Sequence, residues 1–261
     1  MSPSTPPGVS LVSSETADGV TVFDVTFGSA ETPAYLVQPE GGASGPGVLF
    51  FHWVEYGSPT SNRTEFLEEA RSLAASGVTS FLVDGSFPWK EQPSGLEHDV
   101  AAVEADAEML REGLEALLAQ PGVDAGRIAL VGHDFGGMYS AKVFADEPSL
   151  VGLVVMTPTA RWSDWFLRYW QFEVDEDAYR AAMEPLDPVT TLAAAQGRPI
   201  LLQFAANDQY VPEDVAAEIS AAAGAAAETR TYEAGHELSE EARAERMAWV
   251  LERLGVAVPA S

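Results

Sequence analysis

The sequence predicts an α/β fold, in which a mainly parallel β-sheet is covered by helices on both faces. Short continuous apolar runs alternate along the chain with longer segments whose apolar residues recur at helical spacing. Such runs are typical of strands that are buried on both faces of a parallel sheet. The 261 residues are 46% hydrophobic, which is enough for one large core.

Eight segments are predicted to be strands. The first two are rich in β-branched and aromatic residues, and the later ones are mostly short apolar runs. In chain order the predicted strands are 20–27, 34–37, 47–51, 79–83, 127–131, 150–156, 200–204 and 228–232.

Five segments are predicted to be helices. In the first, apolar residues such as Phe66 and Leu73 recur on one face, and Gly77 ends the pattern. The second is long and amphipathic, with Val103 and Leu110 on its apolar face. In chain order the predicted helices are 64–76, 97–119, 138–146, 211–223 and 240–254.

The segment 158–198 interrupts the alternation of strands and helices. It is dense in aromatic residues: Trp162, Trp165, Phe166, Tyr169, Trp170, Phe172 and Tyr179. We therefore expect a single domain over residues 1–261, with 158–198 inserted as a small cap over the site.

Charge and composition exclude several classes of function. With 14 basic and 40 acidic residues the net charge is −26, which repels nucleic acid and anionic membranes. Cysteine is absent, and no residue pattern predicts a metal or a cofactor. Residues 1–8 have neither the basic nor the apolar segment of a signal peptide, so we expect a soluble cytoplasmic protein. No feature indicates the oligomeric state.

The segment 132–137, Gly-His-Asp-Phe-Gly-Gly, lies between a predicted strand and a predicted helix. A Gly-x-nucleophile-x-Gly turn in this position resembles the nucleophile elbow of the α/β-hydrolases, here with Asp134 in the place of the nucleophile. The turn is similar to those of haloalkane dehalogenases and epoxide hydrolases, which carry Gly-His-Asp-Trp-Gly-Gly or close variants. The resemblance implies the α/β-hydrolase fold and Asp134 as the nucleophile.

A second, more diffuse resemblance covers roughly residues 47–254. The short loop with Asp208, Val211 and Pro212, the compact cap and the overall length are similar to dienelactone hydrolases and related small esterases. The chain therefore resembles a dienelactone-hydrolase-like scaffold that carries the aspartate elbow of a dehalogenase or an epoxide hydrolase.

Two further residues complete a predicted catalytic triad. Asp208 follows strand 200–204, and His236 follows strand 228–232. In open parallel sheets the site lies at the carboxyl ends of the strands, so both residues are expected near Asp134. The order nucleophile, acid, histidine along the chain is the order of the α/β-hydrolases.

The oxyanion-hole donors are predicted to be two backbone N–H groups. One belongs to Phe135, after the nucleophile, and the other to Trp53, in the loop after strand 47–51. The indole N–H of Trp53 is also a candidate donor to a leaving group.

The predicted pocket is largely apolar and suits a small hydrophobic molecule. Indole N–H groups would receive a halide, and tyrosine hydroxyls an epoxide oxygen. Arg161 and Arg168 of the cap are candidates for binding a carboxylate. The residues expected to contact the substrate are His52, Trp53, Tyr56, Trp162, Trp165, Tyr169 and Tyr179.

The predicted reaction is displacement of a leaving group at saturated carbon, of the epoxide hydrolase or dehalogenase type. Asp134 would form an alkyl-enzyme ester, which water activated by His236 would then hydrolyse. Phe135 stands where haloalkane dehalogenases carry a halide-binding Trp, which argues against a standard member of that family. Two alternatives stay open: a dienelactone-hydrolase-like esterase, and a non-hydrolytic member that binds or rearranges a ligand.

Overall fold

The computed structural model describes residues 5–43 and 45–257 of the chain. Its core is a nine-stranded sheet with the strand order β1-β2-β3-β5-β4-β6-β7-β8-β9. The strands are β1 (Ser10–Ala17), β2 (Val20–Phe27), β3 (Thr32–Pro39), β4 (Gly45–Phe51), β5 (Thr79–Val83), β6 (Val123–His133), β7 (Gly152–Met156), β8 (Ile200–Ala205) and β9 (Glu228–Tyr232).

The sheet is antiparallel at one edge and parallel elsewhere. Strands β1 to β3 form a meander, and β3 pairs antiparallel with β5. From β5 to β9 every neighbouring pair is parallel. The carboxyl ends of these strands therefore lie along one edge of the sheet, where the loops that follow them can meet.

Within the described residues, eight α-helices cover both faces of the sheet. Helices α1 and α8 pack on one face, and the others pack on the opposite face. The helices are α1 (Leu67–Ala75), α2 (Leu96–Leu118), α3 (Phe135–Asp146), α4 (Trp162–Tyr169), α5 (Glu176–Met183), α6 (Pro188–Ala194), α7 (Glu213–Ala223) and α8 (Glu240–Arg253). This arrangement confirms the predicted fold class.

The insertion between β7 and β8 contains α4, α5, α6 and a short 3₁₀ helix. This insertion packs against the rest of the domain and does not form a separate layer above the sheet. Trp162, Phe166 and Tyr179 are fully buried in the same core as the sheet residues, and α6 packs against α3 and α7. The cap therefore covers only part of the strand ends.

Residues 1–4, 44 and 258–261 lie outside the described part of the chain. The expectation about a signal peptide in residues 1–8, and that of one domain over 1–261, concern these residues in part and stay predictions. Within the described residues, no helix is both long and apolar enough to span a bilayer.

Candidate active site

Asp134 lies at the turn between β6 and α3 with φ 51° and ψ −121°, a strained conformation for a residue with a side chain. Close packing around the turn holds this conformation. A Cβ on Gly136 would collide with the backbone of Phe51 and His52, and one on Gly132 with the backbone of Gly136. Small residues are therefore required on both sides of Asp134, and its side chain is directed toward the ends of the strands.

The Asp134 carboxylate points its two oxygens at different partners. The backbone N–H of Val54 donates to Oδ2 at 3.1 Å, and the N–H of Phe135, which follows Asp134 in the chain, acts to lower the pKa of this carboxyl. Oδ1 lies 3.9 Å from Nε2 of His236, beyond hydrogen-bond distance. Oδ2 thus accepts a backbone N–H, as an oxyanion hole would require, and among the described residues Oδ1 accepts no hydrogen bond.

Val54 takes the place that the sequence analysis gave to Trp53 in the oxyanion hole. The backbone N–H of Trp53 donates to Oε2 of Glu65 at 2.7 Å, so it is directed away from Asp134. The two N–H groups are adjacent in the chain, but only that of Val54 faces the nucleophile. The assignment of Trp53 is corrected accordingly.

The Trp53–Val54 peptide is fixed from its carbonyl side. The Trp53 carbonyl oxygen accepts hydrogen bonds from His52 Nδ1 at 2.8 Å, Ser61 Oγ at 3.2 Å and Trp89 Nε1 at 2.7 Å. Because the carbonyl and the N–H of one peptide are coplanar, holding the carbonyl also aims the Val54 N–H at Asp134. His52, expected to contact substrate, is instead a buried residue with this structural role.

His236 is held by Asp208. Its Nδ1 lies 2.8 Å from Asp208 Oδ2, while Asp208 Oδ1 accepts from the N–H groups of Tyr210 and Val211 at 2.8 and 3.2 Å. Burial raises the pKa of Asp208, but the hydrogen bond and charge of His236 outweigh it, so the pKa is lowered overall. Asp208 is therefore a stable anion that orients the His236 ring.

The pKa of His236 is raised above its ordinary value. Burial lowers it, but the hydrogen bond to Asp208 and the negative charges of Asp134 and Asp208 more than compensate. The pKa of Asp134 is raised as well, because burial outweighs the neighbouring imidazoles and the N–H donors. Both groups are shielded from water, since each side chain is less than a tenth exposed.

A buried pair, Glu65 and His133, lies behind the triad. His133 Nε2 donates to the carbonyl oxygen of His236 at 3.1 Å, and its Nδ1 lies 2.5 Å from Glu65 Oε1. Glu65 also accepts the Trp53 N–H, so it connects the loop that follows β4 to the loop that carries His236.

A cavity of about 560 Å³ opens above Asp134 and His236. Seven aromatic side chains line it, and among the described residues Glu55 is the one acidic lining residue besides Asp134. Among the residues that the structure describes, no Lys or Arg lines this cavity. The aromatic lining residues are Tyr56, Trp89, Phe135, Trp165, Tyr169, Trp170 and Tyr210.

Three of the residues predicted to contact substrate line this cavity. Tyr56 is fully exposed at its mouth, and Trp165 and Tyr169 form part of its wall with ring centroids 4.4 Å apart. Phe135 also lines it, beside Asp134. The cap therefore contributes to the pocket mainly through α4.

Trp53, Trp162 and Tyr179 do not reach the cavity. The Trp53 ring is stacked on His133 at 4.9 Å, and Trp162 Nε1 donates to the Leu186 carbonyl. The Tyr179 hydroxyl donates to Asp99 at 2.6 Å, deep between α2 and α5. Their apolar surface was needed for the core, which corrects the expectation that they bind substrate.

The two cap arginines also lie outside the cavity. Arg161 forms a bidentate ion pair with Glu218 of α7, and the exposed Arg168 lies over the outer face of the Tyr169 ring at 5.3 Å. Neither offers a site for a substrate carboxylate in this pocket.

The sequence analysis missed Trp89 and Tyr210 as pocket residues. Trp89 lies in the loop after β5, and Tyr210 follows Asp208 in the loop after β8. The Tyr210 ring meets His236 edge-on, with centroids 5.0 Å apart. Both follow the carboxyl ends of parallel strands, so the rule that located the triad also applied to them.

Solved structures resemble this chain over nearly its whole length. Acetyl xylan esterase 1 from Thermoanaerobacterium sp. is 18% identical with a TM-score of 0.69, over 96% of this chain and 89% of that one. A putative dienelactone hydrolase from Klebsiella pneumoniae is 18% identical with a TM-score of 0.60, over 95% and 97%. An S-formylglutathione hydrolase from Agrobacterium tumefaciens is 18% identical with a TM-score of 0.69, over 94% and 100%.

At this level of identity the likeness shows the fold alone: the chain has the α/β-hydrolase fold. No protein-family model matches the sequence, and a search among curated proteins finds no match. The chemistry of the site therefore has to be inferred from its own geometry.

Proposed function

We propose that this protein is a hydrolase that opens epoxides through an alkyl-enzyme ester on Asp134. The Asp134 carboxylate attacks a ring carbon through Oδ1, and the ring C–O bond breaks. Water then attacks the carboxyl carbon of the ester, with His236 as general base, and a diol leaves.

The observation that carries this proposal is the position of Asp134 Oδ2 in the oxyanion hole. When Oδ1 becomes the ester oxygen, Oδ2 becomes the ester carbonyl, already bound to the Val54 N–H. Attack by water then places the negative charge on Oδ2, where the hole stabilises it. The donors are thus arranged for hydrolysis of an ester formed on Asp134 itself.

The same arrangement argues against an ordinary esterase. In ester hydrolysis by a serine-type nucleophile, the oxyanion hole has to receive the carbonyl oxygen of the substrate. Here Asp134 Oδ2 occupies that position. A purely ligand-binding role leaves unexplained why Asp208 orients a shielded His236 toward Asp134.

The separation of Asp134 and His236 fits this chemistry. A serine nucleophile needs a hydrogen bond to the histidine, because it has to be deprotonated as it attacks. A carboxylate needs no such step, and 3.9 Å between Oδ1 and Nε2 leaves it unpaired. His236 is therefore reserved for the water of the second step.

Hydroxyl donors favour an epoxide as substrate over an alkyl halide. Tyr169 and Tyr210 line the cavity, and either hydroxyl is a candidate proton donor to the opening ring oxygen. Trp89 donates its indole N–H to a backbone carbonyl, whereas Trp165 and Trp170 also line the cavity and keep halide as the alternative leaving group. Tyrosine gives a proton to the ring oxygen, and His236 takes a proton from water. Transfer of that proton back to tyrosine restores both groups, so that one epoxide and one water give one diol.

The test is to trap the ester in His236→Gln. Incubated with an epoxide such as styrene oxide, this variant should accumulate protein heavier by one epoxide, because attack by Asp134 survives while hydrolysis stops. Digestion with trypsin yields the peptide 128–142, in which Asp134 is the only carboxylate side chain. Mass spectrometry should therefore place the adduct on Asp134 without ambiguity.

His236→Gln/Asp134→Ala is the matched control and should take up no adduct. In a single turnover of the wild type in ¹⁸O-labelled water, the label should enter Asp134 before it enters any diol. Label found directly in the diol, together with no adduct in His236→Gln, would refute the proposal. An adduct with bromoalkanes but not with epoxides would keep the nucleophile and change the leaving group to halide.

A further inference from the structure

Glu55 is an acidic side chain without a cationic partner in the wall of the catalytic cavity. It is half-buried, and among the described residues no Lys, Arg or His forms an ion pair with it. The nearest base of the cavity, His236, is held by Asp208 and faces Asp134. Glu55 thus adds a negative charge to the space above Asp134, where its only cationic neighbour among the described lining residues is His236, whose pKa it helps to raise.

Aromatic side chains line the cavity around this charge. Trp165 packs against Tyr169 and Tyr210 with ring centroids 4.4 and 5.5 Å apart, and Trp89 is a further lining residue. Burial raises the pKa of Tyr210, and the charge of Glu55 raises it further. Tyr56, next to Glu55, presents an unpacked ring at the mouth.

Aromatic faces attract ammonium groups, and they do so more strongly when a carboxylate lies nearby and water is partly excluded. The surface adds to this effect, since a net charge of −26 concentrates cations near the protein. An anionic substrate would meet only repulsion, because no described basic side chain apart from His236 lines the cavity.

We propose that the cavity selects substrates that carry a quaternary or protonated amine, bound between Glu55 and the aromatic walls. This rests on the proposed function for the reaction and adds the substrate class: a small hydrophobic molecule with one positive charge. Glu55 acts as the specificity-determining residue, since the walls alone would also accept a neutral molecule.

The first test measures binding of two unreactive molecules of the same shape. Choline carries a quaternary nitrogen, and 3,3-dimethylbutan-1-ol has carbon in its place. By calorimetry, the wild type should bind choline about tenfold more tightly than the alcohol. Glu55→Gln should reduce this preference to about threefold or less, which cation–π contacts alone would sustain.

Glu15→Gln is the matched control, because it removes the same charge from the exposed strand β1, far from the cavity. It should keep the wild-type preference for choline. Equal binding of the two molecules by the wild type would overturn the proposal. So would a preference that Glu55→Gln retains in full, because the general negative field would then be its source.

The second test uses turnover. Glycidyltrimethylammonium should have a kcat/KM about tenfold above that of 2-(2,2-dimethylpropyl)oxirane, its neutral isostere, and Glu55→Gln should lose this ratio through KM. The binding test needs no reaction, so the two proposals fail separately. Choline preference without an adduct on Asp134 would overturn the reaction alone, and an adduct without charge preference would overturn the role of Glu55 alone.

Discussion

A single peptide unit determines what Asp134 can do. Three donors hold the Trp53 carbonyl, and the Val54 N–H on the same peptide meets Asp134 Oδ2. Glu65 fixes the preceding N–H and, through His133, the carbonyl of His236. Hydrogen bonds outside the cavity thus set the relative positions of Asp134, the Val54 N–H and His236, which are the proposed nucleophile, oxyanion donor and base.

Glu65 provides the prediction at the scale of the residue. Glu65→Gln keeps both contacts, because its amide oxygen accepts from Trp53 and its NH₂ donates to a neutral His133. Glu65→Ala loses both contacts, so the loop that carries the Val54 N–H is no longer held in place. Misplacement of a catalytic group by about 1 Å costs about 10²-fold in rate. We expect kcat for epoxide opening to stay within about threefold of wild type in Gln and to fall about 10²-fold in Ala.

Steady-state kinetics test this, with KM as the second readout, because a positioning role lowers kcat and leaves KM nearly unchanged. Wild-type kcat in Glu65→Ala would contradict the positioning role. Equal damage in both variants would mean that the charge of Glu65 is required, rather than its hydrogen bonds.

The grouping of Asp134, Asp208 and His236 could be predicted from the sequence, whereas the oxyanion donor could not. Each of the three follows a strand with a recognisable apolar run, and parallel strands bring their carboxyl ends together. Which of two adjacent N–H groups faces Asp134 depends on the path of a loop. Val54 and Glu65 carry no local pattern, so their contacts emerged only from the structure. The catalytic roles of the triad stay predictions.

At the scale of the element, the cap is anchored at Asp187. This residue precedes α6, and its Oδ1 accepts the N–H of Trp162, at the start of α4, at 2.9 Å. Its side chain is almost fully buried, and burial raises its pKa to about 7. Arg161 is close enough to lower this pKa but does not offset the burial.

The raised pKa of Asp187 makes the stability of the folded state depend on pH. The folded state keeps the proton up to about pH 7, while the unfolded chain loses it near its ordinary value of 3.8. The contribution of Asp187 to the free energy of unfolding is therefore fully present below about pH 4. It is lost as the pH rises to about 7. Asp187→Asn keeps the acceptor for Trp162 without titrating.

We therefore expect Asp187→Asn to raise Tm near pH 8, by about 2–4 °C for each kcal/mol that burial of the ionised carboxylate costs the wild type. The variant should also show a smaller decline of Tm between about pH 5 and 7. Calorimetric scans across this range test it. Asp214→Asn makes the same charge change at an exposed site in the first turn of α7, away from Asp187, and should keep the wild-type slope. A lower Tm for Asp187→Asn near pH 8 would contradict the account.

Elements with a clear hydrophobic period were predictable, and those without one were not. Strand β1 was missed because it is an edge strand with mostly exposed, polar side chains. Helix α3 begins at Phe135 rather than at residue 138, because the turn at Asp134 leads directly into it. The aromatic residues of the cap were predicted from the sequence to line the pocket, but several of them are buried in the core instead.

At the scale of the whole molecule, the excess of acid over base destabilises the compact state through self-repulsion. With 40 acidic and 14 basic residues, screening by salt should relieve part of that cost. We expect Tm at about pH 8 to rise by several degrees as NaCl increases from about 10 mM to about 300 mM. The same titration near pH 4, where protonation brings the net charge close to zero, is the control. A salt response as large near pH 4 as at pH 8 would assign the effect to something other than repulsion.

The 3.9 Å between Asp134 Oδ1 and His236 Nε2 also governs the timing of the proposed reaction. In the free protein, the negative charge of Asp134 is one of the causes that raise the pKa of His236. Formation of the ester abolishes that charge, while the burial that lowers this pKa persists. The pKa of His236 therefore falls when Asp134 is alkylated, which favours the neutral imidazole, although the hydrogen bond to Asp208 persists. The first chemical step thereby prepares the base that the second step requires.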